Sequence, residues 1–295
     1  MNRLVLGTAQ IGMPYGIANK SGQPSEKEAF GIFDTALKNG VDRFDTAAAY
    51  GSSEDLIGRF LIKRKRQIKI TTKLSALKGQ VSRQQIFDQF EASLQRLRQK
   101  RIDCYMIHNV LDVFKDKQRI ILRTLIELKR TKLIGQIGVS VYDRGQIDKL
   151  LKDFDFDVIQ CPVSILDQRL LEDGSIDRLK RSGKKVYARS VFLQGLVTLD
   201  RHHLPKNLKK AGNYLDKLES LAKMLGVSKK ELAFLYVYTL KNIDALVVGV
   251  DRLEHLKEQL AMIKMVPEFR SKIKYINFSA VKADDPKIVD PRQWR

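Results

Sequence analysis

Four side chains of this 295-residue chain have the chemistry to move a proton onto a carbonyl oxygen: Asp45, Tyr50, Lys73 and His108. A free phenol has a pKa of about 10, too high for easy proton exchange at neutral pH. A nearby ammonium favours the phenolate and brings that value down. Lys73 can supply the ammonium, Asp45 can hold Lys73 charged and in place, and His108 can donate a hydrogen bond to a substrate carbonyl. Such a group would polarise a carbonyl and protonate its oxygen as a hydride arrives at carbon. Each residue also has a plain structural reading: Asp45 as a turn cap, Lys73 as a satisfied strand-end charge, Tyr50 and His108 as packing. Four matched groups at successive strand ends are hard to obtain by chance. In FDTAAAYGSSE, three alanines precede Tyr50 and leave room beside its ring.

The elements that must carry these residues alternate along the chain. Eight short apolar, β-branched runs lie at 3–7, 43–45, 68–73, 104–108, 136–140, 157–161, 185–190 and 245–249. Near-continuous apolar strands separated by helices imply a parallel sheet covered on its outer side. Ser25 and Glu28 form a capping box, and the helix they open ends at Gly40. Ile86, Phe90, Leu94 and Leu97 recur at helical spacing. Gly226 divides a later helical stretch in two, and Ser228 with Glu231 opens its second half. The segment DRLEHLKEQLAMI closes the series. The expectation is one α/β domain over residues 1–295, a (β/α)8 TIM barrel, with residues 265–295 as an irregular segment over the catalytic face. An open doubly wound sheet would need G-x-G-x-x-G after a strand, and none is found. In such barrels reactive groups gather where strands end. Those ends carry Asp45, Lys73, His108, Ser140, Gln160, Arg189 and Ser190, with Tyr50 just beyond the second strand.

Composition narrows the function. Lys and Arg total 54 against 34 acids, a net charge of +20. The basic runs at 62–67, 96–101, 180–185 and 207–212 lack interleaved aromatics, so they read as solvated faces and not as a nucleic-acid platform. The chain opens with no basic leader and apolar stretch, and no apolar run nears about 18 residues. A cytoplasmic protein without a membrane partner is expected. Cys104 and Cys161 sit in apolar runs and read as core thiols without a disulfide. The adjacent His202 and His203 have no third ligand in view, so no metal is expected.

The segment GVDRFDTAAAYGSSEDLIGRFL resembles the signature of the aldo-keto reductase family. KITTKL resembles that family's lysine motif, and RLRQKRIDCYMIHNV its strand ending in histidine. LKRTKLIGQIGVSVYD, VIQCPVSILDQR and ALVVGVDRLEHLKEQL resemble its later motifs, so the likeness runs from Arg3 to Ile263. It implies a barrel that binds NADPH or NADH without a Rossmann domain, and a tetrad of Asp45, Tyr50, Lys73 and His108 with Tyr50 as general acid. It also implies that Ser140 and Gln160 contact the nicotinamide carboxamide. Val141 stands where the family often has asparagine. Arg189, followed by Ser190, stands where an aromatic residue often stacks on the nicotinamide; a planar guanidinium can stack there instead. Phe192, Leu193, Gln194 and Gly195 match the loop around the pyrophosphate. Gly249 and the amides after it would meet a phosphate at a helix N-terminus, with Glu258 and Gln259 on that helix. Arg252 is the nearest cation for a 2′-phosphate, whereas Asp251 would repel one. NADPH is thus the expected cofactor, and NADH is kept beside it.

The expected substrate is a small carbonyl compound: an aldehyde, ketone or sugar. The long first loop offers Gln10 and Tyr15, and the tail offers Trp294. Arg189, Arg292, Arg295 and the basic 206–210 segment would give this face a positive field suited to an anionic substrate. The alternative is an NADP(H)-binding regulatory or scaffold barrel with little turnover. A monomer or weak homo-oligomer is expected.

Overall fold

The computed structural model describes residues 2–77 and 79–294. Eight parallel strands form a closed barrel in sequence order: β1 (Leu4–Gly7), β2 (Arg43–Asp45), β3 (Lys69–Leu74), β4 (Ile102–Ile107), β5 (Ile134–Ser140), β6 (Val158–Pro162), β7 (Lys185–Arg189) and β8 (Ala245–Gly249). Closure is made by β1 on β8, with Leu4 opposite Leu246 and Gly7 opposite Gly249. Strand residues alternate between two cores, as a pleat of period two requires. Leu4, Leu6, Tyr105 and Ile107 face the layer under the helices. Val5, Cys104, Met106, Val158, Tyr187 and Ala245 form a separate cluster that fills the barrel.

The principal helices are α1 (Glu26–Lys38), α2 (Ser53–Arg64), α3 (Arg83–Leu97), α4 (Ile120–Arg130), α5 (Arg144–Asp153), α6 (Ser175–Arg181), α7 (Gly212–Leu225), α8 (Lys229–Thr239) and α9 (Leu253–Lys272). Both expected capping boxes are present, Ser25 with Glu28 on α1 and Ser228 with Glu231 on α8. Gly226 ends α7 in the left-handed conformation, at φ 70°.

The closing helix corrects the expected boundary. It does not stop near Ile263 but continues through Pro267 to Lys272. Met262, Val266 and Phe269 are buried along it at spacings of four and three, and that burial offsets the hydrogen bond the proline cannot make. Beyond it the chain is irregular, with only short turns at Phe278–Val281, Pro286–Val289 and Pro291–Gln293 among the described residues. Ala283 donates its amide to Leu166 O, Gln168 donates to Phe278 O, and Asn207 donates to Trp294 O. The tail therefore crosses loops that follow β6 and β7, on the face where the strands end. No helix among the described residues is long and apolar enough to cross a membrane.

Candidate active site

A cavity of about 560 Å³ opens at the C-terminal ends of the strands. Its wall includes Asp45, Tyr50 and His108, with Lys73 directly behind. Asp45 and Lys73 are 2% and 0% exposed. Lys73 Nζ donates to Asp45 Oδ1 at 2.5 Å and to Thr46 O at 2.9 Å. Burial alone would lower the value of this ammonium. The charge and hydrogen bond of Asp45, with Tyr50 adding, outweigh burial and hold it above the ordinary lysine value. The same Nζ lies 4.9 Å from the centre of the Tyr50 ring. Tyr50 and His108 meet edge to face, with ring centres 5.7 Å apart. Burial first, then the charges of Lys73 and Arg189, push His108 down to about 3. Its imidazole is therefore neutral at ordinary pH and carries a single N–H.

The fold fixes Tyr50 through its backbone turn. Tyr50 donates its amide to Ala47 O, and Ser53 donates its own to Tyr50 O. Gly51 is left-handed at φ 54° and abuts Gly12; a Cβ on Gly12 would fall 1.9 Å from Tyr50 O. A side chain at either glycine would push the first loop off this turn. Beneath it runs a buried hydroxyl chain. Thr46 donates to Ser53 Oγ, Ser53 to Thr8 Oγ1, and Thr8 to Asp45 O. Glu54, also buried, accepts from Thr72 and Arg96 and so pins the start of α2 to β3 and α3. The serine and glutamate after Tyr50-Gly51 thus brace the loop.

The remaining site residues fall into two sets. Ser140, Gln160, Arg189, Ser190, Phe192, Gly195, Gly249, Gln259, Gln10 and Tyr15 line the cavity. Gln160 donates its amide to Asp45 Oδ2 at 2.7 Å, so it helps hold the Asp45 carboxylate. Gln10 lies against Gly249, where a Cβ would meet its Oε1. Four residues are not part of that lining. Leu193 is buried in the core beneath the loop. Arg252 donates to Ser21 Oγ, Glu258 pairs with Lys230, and Trp294 packs against the main hydrophobic core. Arg292 pairs with Asp290, and Arg295 lies outside the described residues.

Among the lining residues that had escaped the reading of the sequence are Tyr142, Lys230 and His255. His255 Nδ1 sits 2.5 Å from Asp251 Oδ1, and that contact holds the Asp251 carboxyl below its usual value. The spacing of four between them was the available signal. Tyr142 follows Ser140 by two residues at a strand end. Lys230 lies on α8 and carried no local signal.

The residues present fit a nicotinamide dinucleotide. The cavity runs from Tyr50 and His108 to Gly249 and the start of α9. Gln259, whose side chain lines that far end, keeps a buried Oε1 with no hydrogen-bond partner among the described residues, an acceptor awaiting a donor. Ser140 and Gln160 would hold the carboxamide, and Gly249 with its neighbours a phosphate.

A closed parallel barrel with Asp, Tyr, Lys and His on one rim and this long polar-ended cavity defines a nicotinamide-dependent carbonyl oxidoreductase. Residues 3–277 match the model of the Aldo/keto reductase family, and the chain belongs to that family. It is an NAD(P)H-dependent enzyme. It is similar to the NADH-specific methylglyoxal reductase of Escherichia coli, 26% identical over 300 residues that cover 90% of each chain. It is also similar to the glyoxal reductase of Bacillus subtilis, 31% identical over 57% of this chain and 59% of that one. Among solved structures, the holo form of an aldo-keto reductase from Bacillus halodurans superposes with a TM-score of 0.77 at 21% identity, covering 99% of this chain and 95% of that chain.

Proposed function

We propose that the enzyme reduces short aldehydes and α-dicarbonyl compounds, with Tyr50 as general acid. The observation that carries this reading is the buried Asp45–Lys73 pair set against the Tyr50 ring on the cavity wall. When bound, the nicotinamide supplies the hydride. Tyr50 delivers its proton to the carbonyl oxygen, and the Lys73 ammonium stabilises the phenolate left behind. His108, neutral, donates its N–H to the same oxygen and orients the carbonyl. Asp45, held by Gln160, keeps Lys73 charged. The activities for which the similar proteins are named, on methylglyoxal and glyoxal, support the substrate class.

The test is titration of the purified protein with NADPH and NADH by fluorescence, then mixing with methylglyoxal, glyoxal and a panel of aldehydes and sugars. Oxidation of the bound cofactor is expected. Tyr50→Phe should remove most turnover, by a factor on the order of 10²–10⁴, with cofactor affinity nearly intact. A variant as fast as wild type would refute the role of Tyr50.

A further inference from the structure

The charged groups around the cavity nearly all have partners. Asp45 is neutralised by Lys73, Lys230 by Glu258, and Asp251 is in contact with His255. Arg189 is the exception. Among the described residues no carboxylate lies within ion-pair distance of it. Its Nη2 donates to Val141 O at 3.1 Å and its Nη1 to Ser190 Oγ at 3.2 Å. A guanidinium has five N–H donors, so three are left without a protein acceptor. The group is also held in orientation. Its Cζ lies 4.2 Å from the centre of the Tyr142 ring, and Arg292, tied to Asp290, lies 3.4 Å from the same centre. The irregular tail thereby fixes Tyr142, and Tyr142 fixes Arg189.

The strand order places this cation opposite the reacting groups. β7 stands four strands from β3, so Arg189 faces Lys73 across the mouth. Its bond to Val141 leans it towards the loop after β5, next to the strand that ends at His108. Its charge reaches the imidazole, where it acts with Lys73 to disfavour protonation. The exposed lysines at 206, 209 and 210 are outside the cavity lining and contribute no direct contact.

We propose that Arg189 is an anion anchor of the active site, and that the preferred substrates are short carbonyl compounds bearing an oxyanion group, carboxylate or phosphate. The planar fork of donors matches either group bidentately. This inference rests on the carbonyl-reductase reading above and narrows its substrate class.

The test uses matched pairs on the nucleotide-loaded enzyme: butanal with succinic semialdehyde, and glyceraldehyde with glyceraldehyde 3-phosphate. The readout is the ratio of kcat/KM for the charged member to that for the neutral one, which cancels any loss common to both. Wild type should favour at least one charged member, and the pair that responds identifies the oxyanion. Arg189→Met should lower that ratio about ten- to hundredfold, mainly through KM. Arg189→Lys should keep part of it. The wild-type ratio should fall with salt. If all four are reduced and the ratio is near one in wild type and variant alike, the anchor is wrong and the reductase reading stands. If Arg189→Met weakens NADPH and NADH binding and leaves the ratio unmoved, Arg189 serves the nucleotide and the anchor is again wrong. If none of the four is reduced, calorimetry with succinate and inorganic phosphate decides. Binding that Arg189→Met abolishes supports the anchor without the reductase reading, and absence of binding by wild type overturns it.

Discussion

Replacing Asp45 by asparagine keeps the shape of the side chain and removes its charge. Lys73 would then be fully buried, with Thr46 O, the amide and the Tyr50 hydroxyl as its acceptors among the described residues, none of them charged. Removing one member of a buried ion pair costs about 3–5 kcal/mol, because the surviving charge is left uncompensated. Gln160 also loses its carboxylate acceptor, which places the expected cost in the upper part of that range. The sign of the pH dependence should invert as well. In wild type the Lys73 value is raised, so its contribution to stability is present below about pH 10.4 and is lost as pH rises through the folded value. In the variant, burial acts without the carboxylate and lowers the value, so the unfolded chain binds more protons and stability rises with pH. Urea denaturation at pH 7 and pH 9.5 measures both effects, and the gap between the proteins should narrow at the higher pH. The double variant Asp45→Asn/Lys73→Met, which leaves no buried charge, should recover most of the loss. A single variant within about 1 kcal/mol of wild type, or a double variant no more stable than the single one, would refute the account of Lys73 as a charge held by Asp45.

His108 predicts an acid-side loss of stability. Its folded value of about 3 lies below an unfolded value of about 6.5, so the unfolded chain binds the extra proton in between. Stability should therefore fall by roughly 1.4 kcal/mol per pH unit below pH 6.5. Unfolding measured from pH 6.5 to 4.5 should show a shallower slope in His108→Asn, and parallel slopes would exclude the effect. Asp251→Asn removes the carboxylate at the α9 end of the cavity. It should raise affinity for NADPH relative to NADH on the order of tenfold, about 1.4 kcal/mol; equal shifts for both in a fluorescence titration would count against a 2′-phosphate at this end. Gly12→Ala inserts a methyl 1.9 Å from Tyr50 O. It should cost about 1–3 kcal/mol and lower kcat by displacing the Tyr50 turn, and denaturation together with steady-state kinetics tests both parts.

Much of this molecule was readable from local pattern. Each strand run and capping box depends on a few neighbouring residues, so the alternation of β and α and the helix starts at Ser25 and Ser228 emerged from the chain itself. The four candidate catalytic residues could be singled out for a related reason. Barrel strands deliver their last residues to one rim, so strand ends read in order already group Asp45, Lys73 and His108. The last helix was drawn too short because the chain from about residue 265 shows no sustained apolar period, while the burial that carries the helix on through Pro267 comes from partners elsewhere in the fold.

What only the tertiary structure decided are contacts whose members are far apart in the chain. Gln160 holds Asp45 across 115 positions. Lys230 is neutralised by Glu258 on the next helix. Trp294 was expected at the substrate and packs against the main hydrophobic core outside the cavity lining, while Arg292 from the same tail stacks on Tyr142. Arg189 belongs to the same class. The sequence shows a cation at a strand end, but whether that cation is paired depends on every acid the barrel brings near it. Among the described residues, closing the barrel brings none within reach and leaves its guanidinium facing the reacting groups.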